Sequence, residues 1–170
     1  MAMIRAVLHA HPGIPDDPAG VMHYINRHFA YLWDTPMFAT AVFAVLDLEL
    51  RRMRVACAGH PPPLLLQQGG GVASIPVAGT LPLLFQELGD VPCFELDLRP
   101  GDRVLFYTDG ITERQTAEGE MFDAERLASA LAETAGVAPT PALERIVSAV
   151  DRFASGHEPD DDQTLLLVAV

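Results

Sequence analysis

Gly59-His60-Pro61-Pro62-Pro63 stops any strand that reaches it. Three successive prolines offer no backbone donors, so a hydrogen-bonded ladder cannot run through them. On the upstream side, β-branched, aromatic and other apolar letters fill Phe38 to Leu48 and Met53 to Ala58 around a polar turn at Glu49 to Arg52, which predicts a β-hairpin. On the downstream side an extended run, Leu64 to Gln67, resumes before the turn at Gly69-Gly70-Gly71, and Val72 to Pro76 reads as a short strand. Residues 78–92 carry Gly79, Pro82, Gly89 and Pro92 and predict a loop. Phe94 to Leu98 alternates strictly, so one face is buried and the other wet. Pro100-Gly101-Asp102 turns the chain into a strand at Arg103 to Tyr107, and a last strand runs from Thr164 to Val170.

Helical patterns sit at both ends of this strand-rich region. Ala2 to His9 favours helix until Pro12 and Gly13 stop it. Asp16-Asp17-Pro18 supplies a cap and an N-terminal proline for an amphipathic helix over 17–32, carrying Val21, Tyr24, Ile25, His28, Phe29 and Leu32. The break after it falls at Asp34-Thr35-Pro36. Thr108-Asp109-Gly110 ends a strand without a helix beginning at once, and a loop with Glu113, Glu118 and Glu120 follows. Asp123 can cap a helix with Leu127, Ala130 and Leu131, and Thr140-Pro141 opens another with Leu143, Ile146, Val147 and Val150 on one face. The expectation is about seven strands in the first two thirds, then a helical pair and one returning strand. That order is an α+β layered domain.

With 170 residues, 49% of them hydrophobic, the chain can bury the core of a single domain over 1–170. A net charge of -12 with eleven basic residues argues against a nucleic-acid partner and for cations. No apolar run approaches the roughly 20 residues that span a bilayer, and the N-terminus lacks the parts of a signal peptide. The expected location is the cytoplasm, with no membrane partner. Cys57 and Cys93 lie in strand segments without a C-x-x-C spacing and read as small buried hydrophobes.

Carboxylates fall at two strand ends: Asp109 after the Arg103 strand, and Asp160-Asp161-Asp162 before the Thr164 strand. Each alone is an ordinary turn or a solvated loop. If the two strands are antiparallel neighbours, the end of one meets the start of the other. Hard oxygen ligands gathered there suit Mg²⁺ or Mn²⁺, and the reaction class such a site serves is phosphate ester hydrolysis.

Five segments in fixed order carry a resemblance: Phe38-Ala39-Thr40-Ala41, Ala58-Gly59-His60-Pro61-Pro62-Pro63, Pro100-Gly101-Asp102, Phe106-Tyr107-Thr108-Asp109-Gly110-Ile111-Thr112-Glu113 and Asp161-Asp162-Gln163-Thr164. Together they resemble the stage II sporulation protein E (SpoIIE) branch of the PPM, or type 2C, metal-dependent serine/threonine phosphatases, from about residue 2 to the C-terminus. The resemblance implies a β-sandwich of two antiparallel sheets flanked by helices, with a binuclear Mn²⁺ or Mg²⁺ site at one end. It assigns metal ligation to Asp109 and Asp161, and supporting roles to Gly110, Asp162 and Thr164. Asp160 is left to solvent, as is His157, which lies near Asp161. His60 and Asn26 are weaker candidates; a structural role is the expectation for both, the Asn26 amide bonding neighbouring backbone. The stretch Gly79-Thr80-Leu81-Pro82-Leu83-Leu84-Phe85 departs from the Gly-x-Pro-Leu-Gly-Leu pattern usual in the family.

A larger departure lies at the front. The Gly-Gly-Asp strand and the Asp-x-Ser-Gly-His-Gly segment that family members carry occur nowhere in this sequence. Without their carboxylates, one weak metal site is the most to expect. Their absence would leave strand edges uncovered and favour homo-oligomers. The resemblance implies a phosphatase acting on phosphoserine or phosphothreonine of a regulatory protein, of the anti-anti-sigma-factor-like kind found in partner switching, by in-line attack without a phosphoenzyme. The alternatives are a degenerate, non-catalytic binding module of the same fold, or an inactive fragment lacking half of the metal site.

Overall fold

The computed structural model describes residues 2–32, 36–77 and 79–170. In chain order the elements are α1 (Ala2–His9), α2 (Pro18–His28) with a 3-10 turn at Ala30–Leu32, β1 (Ala41–Asp47), β2 (Arg52–Ala58), β3 (Leu64–Leu66), β4 (Val72–Ser74), β5 (Phe94–Asp97), β6 (Arg103–Tyr107), α3 (Asp109–Thr112), α4 (Asp123–Ala132), α5 (Pro139–Ala154) and β7 (Leu165–Ala169). The strands form two antiparallel sheets, ordered β1-β2-β5 and β4-β3-β6-β7, with helices alongside. This is the α+β class expected. Six strands precede the helical pair, one fewer than expected, and the seventh follows it. The predicted break at Asp34-Thr35 lies outside the described residues.

The chain divides into two compact units, Met1–His60 with Pro76–Leu98, and Pro61–Ile75 with Arg99–Val170. The proline run therefore opens the second unit. In the first, β1 and β2 pair from Ala41↔Ala58 to Asp47↔Arg52, and β2 pairs with β5. The Asp47 carboxylate accepts the Glu49 and Leu50 amides at 2.9 and 2.8 Å, which closes the hairpin turn. Asp17 accepts the Ala19 amide and Pro18 starts α2, whose Val21, Met22 and Ile25 bury, together with Phe29, among Ala56, Ala58, Leu83, Leu84, Leu88 and Val91. The helix predicted to residue 32 ends as α-helix at His28. In the 78–92 loop, Ala39 and Leu83 exchange backbone hydrogen bonds of 2.9 and 2.8 Å as an isolated bridge. Gly59 (φ +63°) ends the ladder where a Cβ would meet Pro82 at 2.6 Å.

Cys57 is buried in β2, but Cys93 is exposed, contrary to the sequence reading. β5 starts at Phe94, and its alternation carried back one residue puts position 93 on the outward side with Glu95 and Asp97.

In the second unit β3 lies between β4 and β6, and β6 pairs with β7 from Arg103↔Ala169 to Tyr107↔Leu165. Leu64, Leu66, Leu105 and Tyr107 form a core with Ile111, Phe122, Leu127, Leu131, Ile146 and Val150. Along α5 the buried residues are Ala142, Ile146, Val150 and Ala154, a spacing of four that makes a narrow stripe. Val147 stands about 100° round the helix from Ile146 and is exposed, not core-facing as expected. The Asp123 carboxylate accepts the Glu125 and Arg126 amides, each at 2.9 Å, and so starts α4. Buried Asp102 accepts the Arg99 and Gln68 amides and fixes the Pro100-Gly101 turn.

Candidate metal centre

The antiparallel pairing of β6 with β7 ends at Tyr107↔Leu165, so the residues that leave β6 lie beside those that enter β7. Four hydrogen bonds carry the junction one step further. The Thr108 amide donates to the Thr164 carbonyl at 3.1 Å, the Thr164 amide to Thr108 Oγ1 at 2.9 Å, and Thr108 Oγ1 to the Asp162 carbonyl at 3.1 Å. Gln163 Nε2 donates to the Gly110 carbonyl at 3.0 Å. Asp109 and Asp161, 52 positions apart in the sequence, thus sit on two segments stitched together at one end of the sheet.

A helical turn, α3, begins directly at Asp109 where the sequence reading placed none. Thr108 takes the extended conformation of a helix cap, and buried Ile111 anchors the turn in the core. Gly110 lies in that turn with no left-handed backbone; what demands glycine is space. An added Cβ would stand 2.5 Å from the Asp162 carbonyl oxygen and 3.3 Å from that of Asp161.

Asp109 is half-buried, and its Oδ1 accepts the Gly110 amide at 3.2 Å. Asp161 is exposed, and its Oδ1 accepts the Asp162 amide at 2.7 Å. Asp160, Asp162 and Thr164 are exposed as well. Pro159, Asp160, Asp161, Asp162 and Gln163 line an open depression.

Among the described residues no group of three or more His, Cys, Asp or Glu side chains is arranged to hold a metal. Two carboxylates with nearby carbonyls are hard oxygen donors, and they fit one Mg²⁺ or Mn²⁺ ion that keeps most of its waters. They do not fit a close pair of ions, whose mutual repulsion would go largely unneutralised.

Asn26 and His60 belong to the first unit. Asn26 is fully enclosed: its Oδ1 accepts the Leu84 amide at 2.7 Å and its Nδ2 donates to the Gln86 carbonyl at 2.8 Å. That amide holds a loop in which Leu84 adopts φ +70°, a conformation glycine tolerates better and the place where the family pattern has glycine. His60 Nδ1 lies 3.1 Å from Thr40 Oγ1.

Three residues of the junction were not picked out as site residues from the sequence. Thr108 and Gln163 were visible inside the Thr-Asp-Gly and Asp-Asp-x-Thr segments. Arg114, whose Nη2 donates to the His157 carbonyl, gave no signal.

The chain is similar to known proteins in sequence and in fold. The chain is 28% identical over 119 residues to the phosphoserine phosphatase RsbU of Bacillus subtilis, covering 70% of this chain and 36% of RsbU. It thus spans about a third of that relative's length. Among solved structures, the SiaA-PP2C domain of Pseudomonas aeruginosa superposes with a TM-score of 0.84 at 20% identity, over 99% of this chain and 66% of that one. RsbX in complex with magnesium superposes with a TM-score of 0.67 at 17% identity, over 98% of this chain and 70% of that one. These structures establish the fold. The family model described as Stage II sporulation protein E (SpoIIE) matches residues 1–170, and the chain belongs to that family.

Proposed function

We propose that residues 1–170 are part of one PPM-type phosphatase domain that hydrolyses phosphoserine or phosphothreonine on a regulatory protein, with Mn²⁺ or Mg²⁺ as cofactor. The observation that carries this reading is the junction of β6 and β7, which sets Asp109 and Asp161 at one sheet end. Membership of the SpoIIE family supports the reaction class. The phosphoserine activity in the name of RsbU supports the substrate class, and the magnesium complex of RsbX supports the ion. A partner-switching protein of the anti-anti-sigma-factor-like kind, acted on in the cytoplasm, fits that substrate class.

In this reading Asp109 and Asp161 hold the ion. Gly110 lets the two segments approach, and Asp162 and Thr164 fix the ligand loop through their backbones. A bound divalent ion supplies Lewis-acid polarisation of the phosphoryl group and activation of water. The residues of the junction orient the two carboxylates, and none is required as a nucleophile. Asn26 and His60 keep structural roles, in the loop at 84–86 and beside Thr40.

A second reading, a binding module of the same fold without catalysis, is favoured by the lack of a three-carboxylate group among the described residues. The deciding experiment is hydrolysis of a phosphoserine peptide by the 170-residue chain with increasing Mn²⁺, beside Asp109→Ala. Activity that rises with Mn²⁺ and disappears in the variant is expected. An inactive chain that still binds a phosphorylated partner would overturn the catalytic reading in favour of the second.

A further inference from the structure

The loop bearing Asp161 carries four acids, Glu158, Asp160, Asp161 and Asp162, and is exposed over most of its length. Its far end is held by Thr108 through the Asp162 carbonyl. Its near end meets Arg114, whose Nη2 donates to the His157 carbonyl. Arg114 is only 6% exposed, and its Nε and Nη1 are buried without a hydrogen-bond partner. None of the ion pairs among the described residues includes it. A guanidinium without a carboxylate is costly to bury, so this position is expensive to keep for packing alone.

The backbone of Arg114 is itself anchored. Its carbonyl accepts the Phe122 amide at 2.8 Å, beside the bridge between Gln115 and Met121. Phe122 is buried, with its ring edge-on to Phe153 of α5 at 5.4 Å. A chain of contacts therefore runs from the core through Arg114 to the first residue of the acidic loop. It puts a buried guanidinium on the backbone of the residue that directly precedes the four acids in the sequence.

We infer that Arg114 is a positioning residue that tethers the acidic loop at His157 and holds Asp161 in place for a cation. The cation part of this inference rests on the reading of Asp109 and Asp161 as metal ligands; the tether itself does not. A planar fork with donors on three nitrogens is the side chain suited to gripping backbone from within a core. The residue touches neither substrate nor ion and acts only through the loop.

The test uses Arg114→Met and Arg114→Lys in the 170-residue chain. Amide hydrogen exchange of residues 157–163 is followed without metal, and Mn²⁺ affinity by electron paramagnetic resonance. In Arg114→Met, exchange in 157–163 should rise about tenfold while β6 and α5 keep their protection, and Mn²⁺ binding should weaken about tenfold. Arg114→Lys, which keeps the charge without the fork, should fall between Met and wild type, and it alone decides if Arg114→Met does not fold. Unchanged exchange in the loop overturns the inference. So does a uniform rise in which β6 and α5 loosen as much as the loop, since that marks packing alone. A loop that loosens in a chain whose wild type binds no Mn²⁺ would support the tether and overturn the metal reading instead.

Discussion

The carbonyl oxygen of Asp162 lies 2.5 Å from where a Cβ on Gly110 would stand, so the turn after β6 and the loop before β7 are packed backbone against backbone. Alanine in a helical turn is ordinarily favoured over glycine by about 1 kcal/mol. Overpacking against a backbone that cannot swing aside costs about 1–3 kcal/mol. Gly110→Ala should therefore lower stability by up to about 2 kcal/mol despite the better helix former, as read by urea denaturation. Equal or higher stability would show that the junction is loose.

Thr108 joins the same two segments through one hydroxyl, which donates to the Asp162 carbonyl and accepts the Thr164 amide. Thr108→Val keeps the shape and removes both bonds. At about 1 kcal/mol for each net hydrogen bond, and with partial exposure, a loss of about 1–2 kcal/mol is expected, and Thr108→Ser should recover most of it. A melting curve unchanged in Thr108→Val would show that water replaces the hydroxyl without cost.

The two carboxylates are expected to matter for ion binding and not for folding. Asp109 is half-buried and Asp161 exposed, and neither bonds beyond the next residue's amide. Asp161→Asn should weaken Mn²⁺ binding about tenfold or more while the melting temperature in the absence of metal stays within about 2 °C. Titration with Mn²⁺ would check the first and calorimetry the second. Wild-type affinity in Asp161→Asn would remove it from the site.

Asn26 offers the opposite pattern, a buried amide whose two bonds both go to backbone nearly sixty residues away. Asn26→Ala leaves the Leu84 amide without a partner and should cost about 2–4 kcal/mol, with no change in Mn²⁺ affinity. Chemical denaturation measures the loss. A stable Asn26→Ala protein with altered peptide hydrolysis would point to a substrate contact instead.

The two thiols should differ in reactivity. Burial pushes the Cys57 thiol up to about 11, while Cys93 is exposed, its thiol raised chiefly by partial desolvation and then by the charge of Asp17. At pH 8 a disulfide reagent should label Cys93 within minutes and Cys57 only after unfolding. Because the folded state favours the neutral Cys57 thiol, its contribution to stability is complete below the ordinary thiol pKa and is lost as pH rises through about 11. Labelling of both thiols at equal rates in the native protein would contradict the burial of β2.

Much of the fold was legible because the chain punctuates itself. Asp17 and Pro18 announce α2, the polar turn before Arg52 announces the hairpin, and the proline run separates β2 from β3. What failed were features that local pattern does not settle. Cys93 lies one residue outside a strand and inherits the outward phase of its alternation. Val147 borders a stripe set by a spacing of four, and only the partner surface decides how wide that stripe is. The turn at Asp109 forms because Ile111 finds a core to enter, which no letter near Thr108 reveals.

The sequence by itself determined the α+β class, the SpoIIE family and the two carboxylate segments, because capping residues, proline breaks and the order of short motifs are properties of local chain chemistry. The tertiary structure alone decided that those segments meet, since pairing β6 with β7 closes a separation of more than fifty residues through backbone hydrogen bonds. It also placed Arg114 beneath the acidic loop. Burial and long-range contact depend on which surfaces the folded chain brings together, and a run of residues carries no record of its distant neighbours.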